Sequence, residues 1–322
     1  MKIDTNRRRV LGFAGGAAAL SVFSVQAQEK FPSKPIEVVT HSGVGGGTDI
    51  TARMMMVHAP GVFKTEFVVV NRTGGSGAAA LDYLLERKDG HAIALITQTH
   101  LLTILRSKGK YKYEDLVPLA RATEDPQVLM VGKGSPYKTA QDFIKAAKGK
   151  PMKFGTTHVG SVDHIGSMAV ARAAGMQNPV IVPFRGGGDI VINLVGGNID
   201  GALVNFAEAE SQVKSGDVRP LATFANSRLS VLPNVPTGKE IGVNTVQSTV
   251  RGFVTTRGVP EDRVKVLEQG LVKAMEGQLF QSYLETSGQA KDSVTGATAW
   301  KAQLDAFMKE GKQTLEALGL LK

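Results

Sequence analysis

Four short stretches hold the residues of this chain best suited to chemistry: Thr40 to Asp49 (THSGVGGGTD), Asn71 to Gly77 (NRTGGSG), Thr156 to His164 (TTHVGSVDH) and Val182 to Gly188 (VPFRGGG). In the first, Gly43, Gly45, Gly46 and Gly47 let a ligand approach the main chain. The amides that open a following helix can receive an anion there, with the Ser42 and Thr48 hydroxyls and Asp49 beside them. A phosphate loop needs Gly-Lys followed by Ser or Thr, and a dinucleotide fold needs GxGxxG. This stretch has neither, so nucleotides are set aside. The plainer reading is a tight turn with an N-cap at Thr48 or Asp49.

The second stretch nearly matches a nucleophile elbow, with Gly74, Ser76 and Ala78 at the motif positions, which raises a secreted α/β hydrolase with Ser76 as nucleophile. Its last glycine is replaced by alanine, and an HGGG-type oxyanion motif is missing. The third offers His158, Asp163 and His164 to a metal reader. The histidine spacing does not share one helical face, however, and no other strong ligand pair accompanies it, so no metal and no cofactor is expected. Thr156, Thr157 and Ser161 instead offer hydroxyls and amides at a helix start, with Gly160 between them and His164 packed or hydrogen-bonded nearby. In the fourth, Arg185 can meet a carboxylate with two parallel hydrogen bonds or simply face solvent, and Phe184 walls a cleft or fills the core.

Apolar periodicity supplies the elements that must position these stretches. Strands are expected at Ile36 to Thr40, Phe67 to Val70, Ala92 to Ile96, Val128 to Val131, Met152 to Gly155, Val180 to Val182, Ala202 to Val204 and Leu221 to Phe224. Helices are expected at Asp49 to about His58, Ser76 to about Glu86, from a capping arrangement at Thr139 to Asp142, and at Val162 to about Ala174. Pro260 followed by Glu261 and Asp262 marks another helix start, and Trp300, Leu304, Phe307, Met308, Gly311, Leu315 and Leu318 recur at helical spacing, with Trp300 and Phe307 facing the core. Strands alternating with helices imply a parallel sheet covered by helices, whose ligands bind beyond the strands' carboxyl ends.

Composition narrows the class. The 322 residues suit two domains, 42% hydrophobic and 21% charged residues describe an ordinary globular chain, and 37 glycines gather at turns that follow strands. Residues 1–28 read as an export signal, with a basic start, an apolar run from Val10 to about Val25 and a cut near Ala27. Asn6 to Leu11 partly resembles a twin-arginine signal, which leaves Sec or Tat open. The absence of cysteine rules out disulfides and thiolate chemistry. The formal charge of +9, of which the leader supplies three, has no basic stripe interleaved with aromatic rings, so nucleic acid is not a partner. A mild positive field suits small anions.

Taken in order, FPSKPIEVVT ahead of Gly45-Gly46-Gly47-Thr48-Asp49 and Thr51-Ala52-Arg53, VVVNRTGGSGAAAL, YEDLVP at Tyr113 to Pro118, FGTTHVGSVDH, VPFRGGGD, SGDVRPLATFANSRLSVLPNVPT and RGFVTTRGVP resemble the solute-binding receptors of tripartite tricarboxylate transporters. These receptors are the Bug family of periplasmic proteins, and the likeness runs from about Phe31 to the end. It implies an α/β, type II periplasmic-binding fold: two lobes joined by crossings near Leu119 to Thr123 and Gly252 to Thr255. Lobe 1 would be 29–123 plus 256–322, and lobe 2 would be 124–255. It implies a monomeric periplasmic receptor, not an enzyme, that closes on a small carboxylate and delivers it to membrane permease subunits; presenting ligand to a signalling partner is the alternative.

By position, the ligand-facing residues implied are Ser42, Gly43, Gly45, Gly46, Gly47, Thr48, Asp49 and Thr97 on one side. On the other are Thr156, Thr157, His158, Gly160, Ser161, Phe184, Arg185 and Asn205. His41 and Ser42 stand where the family often has Pro and Phe, and Arg185 where it often has Lys. Loss of the aromatic implies a larger pocket, and the guanidinium a second carboxylate, so a dicarboxylate or an aromatic carboxylate is expected.

Overall fold

The computed structural model describes residues 30–289, 291–317 and 319–321. The export signal and Leu318 lie outside them. The first strand, β1 (Ile36–Thr40), is buried along most of its length and leads through a glycine turn into α1 (Gly47–Met56), followed by α2 (Ala59–Phe63). Then come β2 (Phe67–Asn71), a single 3-10 turn at Gly75–Gly77, α3 (Ala78–Leu85), the fully buried β3 (Ala92–Ile96) and α4 (Gln98–Arg106). β1 pairs in parallel with β2 and β3, so all three carboxyl ends emerge on one edge.

A long strand, β4 (Leu116–Gly132), leaves this sheet for a second one. Its first part pairs antiparallel with the later β9 (Ser248–Thr256), up to the Pro126–Ser248 pair, and β9 in turn pairs with β3. The rest of β4 pairs with strands of the second lobe. That lobe runs through α5 (Ala140–Gly149), β5 (Lys153–Thr156), α6 (Val162–Ala173), β6 (Val180–Pro183), α7 (Gly187–Val195), β7 (Gly201–Asn205), α8 (Phe206–Lys214) and β8 (Val218–Thr223). β5 lies parallel to both β6 and β7, which repeats the arrangement of the first lobe. After β9, the chain returns to the first lobe with α9 (Glu261–Met275), α10 (Gln278–Thr286), the two-residue β10 (Thr295–Gly296), which pairs with β4, and α11 (Ala297–Ala317).

Each lobe has its own core, as expected for two α/β layers of this size. Trp300 on α11 is fully buried among Val39, Ile96, Leu101, Val254 and Leu304, and its indole Nε1 donates to the Phe253 carbonyl at 3.2 Å. Phe307 is only partly buried at the edge of this core. Phe143 and Phe154 anchor the second lobe with rings 5.7 Å apart at a steep angle, an edge-to-face packing favoured by the ring quadrupole.

Where residue patterns and the structure differ, the differences are small or have a visible cause. α1 begins two positions before Asp49, because the N-cap is Gly46 and no side chain caps it; Thr48 and Asp49 are inside the first turn. The helix expected from Ser76 starts at Ala78, since Ser76 itself adopts a positive φ of 53° in the 3-10 turn. The capping box at Thr139 and Asp142 forms as read.

Candidate ligand-binding cleft

The carboxyl ends of β1, β2 and β3 face those of β5, β6 and β7 across a cleft, and the loops that follow them touch. The Gly47 amide donates to Glu208 Oε1 at 2.7 Å, the Val162 amide to Thr99 Oγ1 at 3.3 Å, and Arg106 Nη1 to the Val159 carbonyl at 3.3 Å. Each bond links one lobe to the other, so the lobes are closed. They enclose a narrow cavity of about 50 Å³.

Asp49 fixes the first loop. Its carboxylate accepts from the Gly45 amide, from Asn71 Nδ2 and from both Nε and Nη2 of Arg53, all within 2.9 to 3.0 Å. Burial works against its charge, but the Arg53, Asn71 and Gly45 bonds outweigh that and hold the carboxyl below its ordinary range. Asp163 does the same for the facing loop by accepting from the amide and hydroxyl of Thr157. Ser161 caps α6, accepting from His164 N at 3.3 Å, while its hydroxyl donates to the His158 carbonyl. His164 hydrogen-bonds as anticipated: its Nδ1 accepts from the Gly160 amide at 2.7 Å.

Behind the cavity lies a buried charge cluster. Arg251, on β9, donates from Nη1 to Asp125 Oδ2 and from Nη2 to Asn205 Oδ1, each at 2.7 Å, and Asn205 Nδ2 in turn donates to the Asp125 carbonyl. Arg251 Nε and Asp125 Oδ1 are buried without a partner. Burial pushes the Asp125 carboxyl up to about 7, against the opposing pull of Arg251. Enclosure likewise raises Glu208, opposed by Arg251 and by the two amides it accepts. Gly47 is required here by space: a Cβ would overlap the Arg251 guanidinium.

Three imidazoles fill the floor beside it. His41 lies edge-on to His100 with centroids 4.4 Å apart, and 6.1 Å from His158. Burial lowers all three, His100 to about 3, which favours their neutral forms. His100 Nδ1 accepts from the Thr97 amide, which places its proton on Nε2. Of the three, His41 lines the cavity, beside Ser42.

Of the residues read from sequence, Ser42, Gly47, Thr48, Thr97, Thr157 and Asn205 line the cavity. Gly46, Asp49, Thr156, Gly160 and Ser161 are buried around it, His158 is half-buried against His41, Gly43 is half-buried and Gly45 exposed. Phe184 packs on the second lobe's core. Arg185 is exposed and lines no part of the cavity, which removes the ground for a second carboxylate there. Among the described residues, the Ser76 hydroxyl has the Val159 carbonyl, at 3.4 Å, as its partner and no histidine bonded to it. Arg251, Asp125, Glu208, Gln127 and Thr99 were not read as site residues. A single arginine inside the strand-like run STVRGFVTT was the available signal for the first of them, because a buried charge needs a reason.

The model of the tripartite tricarboxylate transporter family receptor matches residues 52–312. The chain belongs to this family. It is a periplasmic solute-binding receptor. A relative in Pseudomonas sp. strain P51, from the tcbD-tcbE intergenic region, is 30% identical over 95% of this chain and 94% of its own length. A TctC solute-binding protein from Polaromonas, solved without ligand, is 28% identical, with a TM-score of 0.65 over 89% of this chain and 99% of that one. MatC from Rhodopseudomonas palustris, solved with bound malate, shares the fold at a TM-score of 0.82 and 23% identity, covering 88% of this chain and all of its own. Among the described residues of this family receptor, no helix is long and apolar enough to cross a membrane.

Proposed function

We propose that this receptor binds a small organic carboxylate in the cleft and hands it to the membrane permease subunits of a tripartite tricarboxylate transporter. One observation carries the ligand class: Arg251, a buried guanidinium whose Nε has no partner among the described residues, is one of the residues lining a cavity also lined by the hydroxyl-bearing Thr48, Thr99, Thr157 and Thr249. An unpaired buried guanidinium donor is costly, and a carboxylate is the small group that meets it best. The malate in MatC supports the same class.

We place the hinge at the step from Pro126 to Gln127 and at the entry to β9 at Ser248, where β4 exchanges one sheet for the other. The receptor works as a monomer in this reading, and its leader is cut near Ala27. Calorimetry on the mature protein with a carboxylate panel, and with sugars and amines as controls, tests the reading. Binding confined to carboxylates is expected; heat with none of them would end it.

A further inference from the structure

Glu208 occupies an unusual place. Its Oε1 accepts from the Gly47 amide, the first residue of α1 on the opposite lobe, at 2.7 Å, and its Oε2 accepts from the Asn205 amide that opens its own helix, at 3.2 Å. It also presses against the start of α7, where Gly187 leaves room: a Cβ there would overlap the Glu208 carboxylate. Helix N-termini carry partial positive charge and unpaired amides, so this is where a ligand's carboxylate would be drawn in a receptor of this architecture. Here the chain supplies that carboxylate itself.

The charges around it leave no room for a second one. Arg251 is the cation at the cavity, and its Nη1 is already bonded to Asp125. Two acidic side chains, Asp125 and Glu208, already face this one guanidinium. Among the described residues, the lining polar groups left without a partner include the Thr48 hydroxyl and one donor of the Arg251 guanidinium, Nε, a set that matches one carboxylate and not two. Like charges at contact distance in a water-poor cleft repel strongly.

We propose that Glu208 is a specificity-determining residue that fills one carboxylate position of the cleft from within the chain, so that the receptor selects monocarboxylates over dicarboxylates. The inference rests on the carboxylate reading of the cleft and adds the ligand's charge to it. Gly187 and Gly47, by seating Glu208 and Arg251, belong to the same device.

The test is calorimetry on the full mature chain with two matched pairs, butyrate against succinate and hexanoate against adipate. The wild type is expected to bind each monocarboxylate at least tenfold more tightly than its partner. In Glu208→Ala the ratio is expected to shift at least tenfold toward the dicarboxylate. Glu208→Gln keeps the side chain's shape and its acceptor for Gly47 while removing the charge, so it covers the case in which the alanine variant does not fold, and it should shift the ratio in the same direction. Tighter binding of succinate and adipate by the wild type, or an unchanged ratio in the folded variants, overturns the role of Glu208 while leaving the carboxylate reading intact. Absence of binding by all four acids to wild type and variants overturns both.

Discussion

Arg251 and Asp125 form an ion pair of 2.7 Å with both side chains about 2% exposed, and they sit on the two strands, β9 and β4, that run between the lobes. The pair therefore ties together the two strands that connect the lobes. A buried pair contributes little compared with well-packed apolar groups, but breaking it strands a charge. Arg251→Gln is expected to lower unfolding free energy by about 3–5 kcal/mol, measured by denaturant titration at neutral pH. A loss below 1 kcal/mol would show that Asp125 takes up a proton or meets water when the arginine is gone.

The imidazole floor makes an acid-sensitive fold. His100 titrates near 6.5 when unfolded and at about 3 when folded, so the unfolded chain binds more protons between those values. Stability from this group is complete above 6.5 and is lost as pH falls toward 3, on the order of 5 kcal/mol in all. Asp125 acts in the opposite sense: its raised value makes the fold lose stability as pH rises from about 4 to about 7. The informative measurement is thus a difference. Wild type minus His100→Gln, followed by chemical denaturation from pH 7 to pH 4, should fall steadily, and a flat difference would show that the ring is protonated without cost.

Thr48 and Ser161 look alike in sequence, each a hydroxyl residue at the start of a helix after a glycine turn. The structure separates them: Thr48 lines the cavity, and its hydroxyl has no hydrogen-bond partner among the described residues, whereas Ser161 is occupied with capping α6. Thr48→Ala is expected to weaken carboxylate binding by about 1 kcal/mol, roughly fivefold, with little change in melting temperature. Ser161→Ala should do the reverse, costing about 1 kcal/mol of stability as lost caps do. Parallel calorimetry and thermal melts decide it, and equal affinity losses would return Ser161 to the ligand.

The contrast between those two residues shows what a linear pattern conveys. Alternating strands and helices, and the glycine turns at Gly45 to Gly47 and Gly160, placed the cleft because short-range periodicity and turn chemistry are local properties. The long β4 was legible only as Val128 to Val131, since its first half includes Glu124, Asp125 and Pro126 and pairs with β9 more than a hundred residues away. Glu208 and Arg251 were missed for the same reason. Glu208 reads as an ordinary acid in a helix's first turn, and its meaning depends on Gly47, 161 residues distant. Arg185 differs in the other direction: its glycine-rich setting resembles a binding loop, and the residue is exposed outside the lining of the closed cavity.

Gly47 offers the sharpest check of how the site is assembled. As the first residue of α1 it lies where alanine is intrinsically better than glycine, because alanine loses less backbone entropy on folding. Its backbone is not in the left-handed region, so nothing local forbids a side chain. The obstacle comes from across the sheet: a Cβ would overlap the Arg251 guanidinium and stand 3.1 Å from Glu208 Oε1. Neither group can yield freely, because Arg251 is tied to Asp125 and Asn205, and Glu208 is tied to the Asn205 amide. Gly47→Ala is therefore expected to destabilise the protein by about 1–3 kcal/mol, as overpacking does, instead of stabilising α1. It should also enlarge the radius of gyration measured by small-angle scattering, because the bond from Gly47 to Glu208 that joins the lobes must lengthen. Gly45→Ala serves as the comparison: nothing lies within 4 Å of its Cβ, and its φ of +80° predicts a cost from backbone strain alone, with the lobes still closed. If Gly47→Ala melts at or above the wild-type temperature with an unchanged radius, the helix propensity of the residue outweighs the contact with Arg251, and the seat built for that guanidinium is looser than its geometry implies.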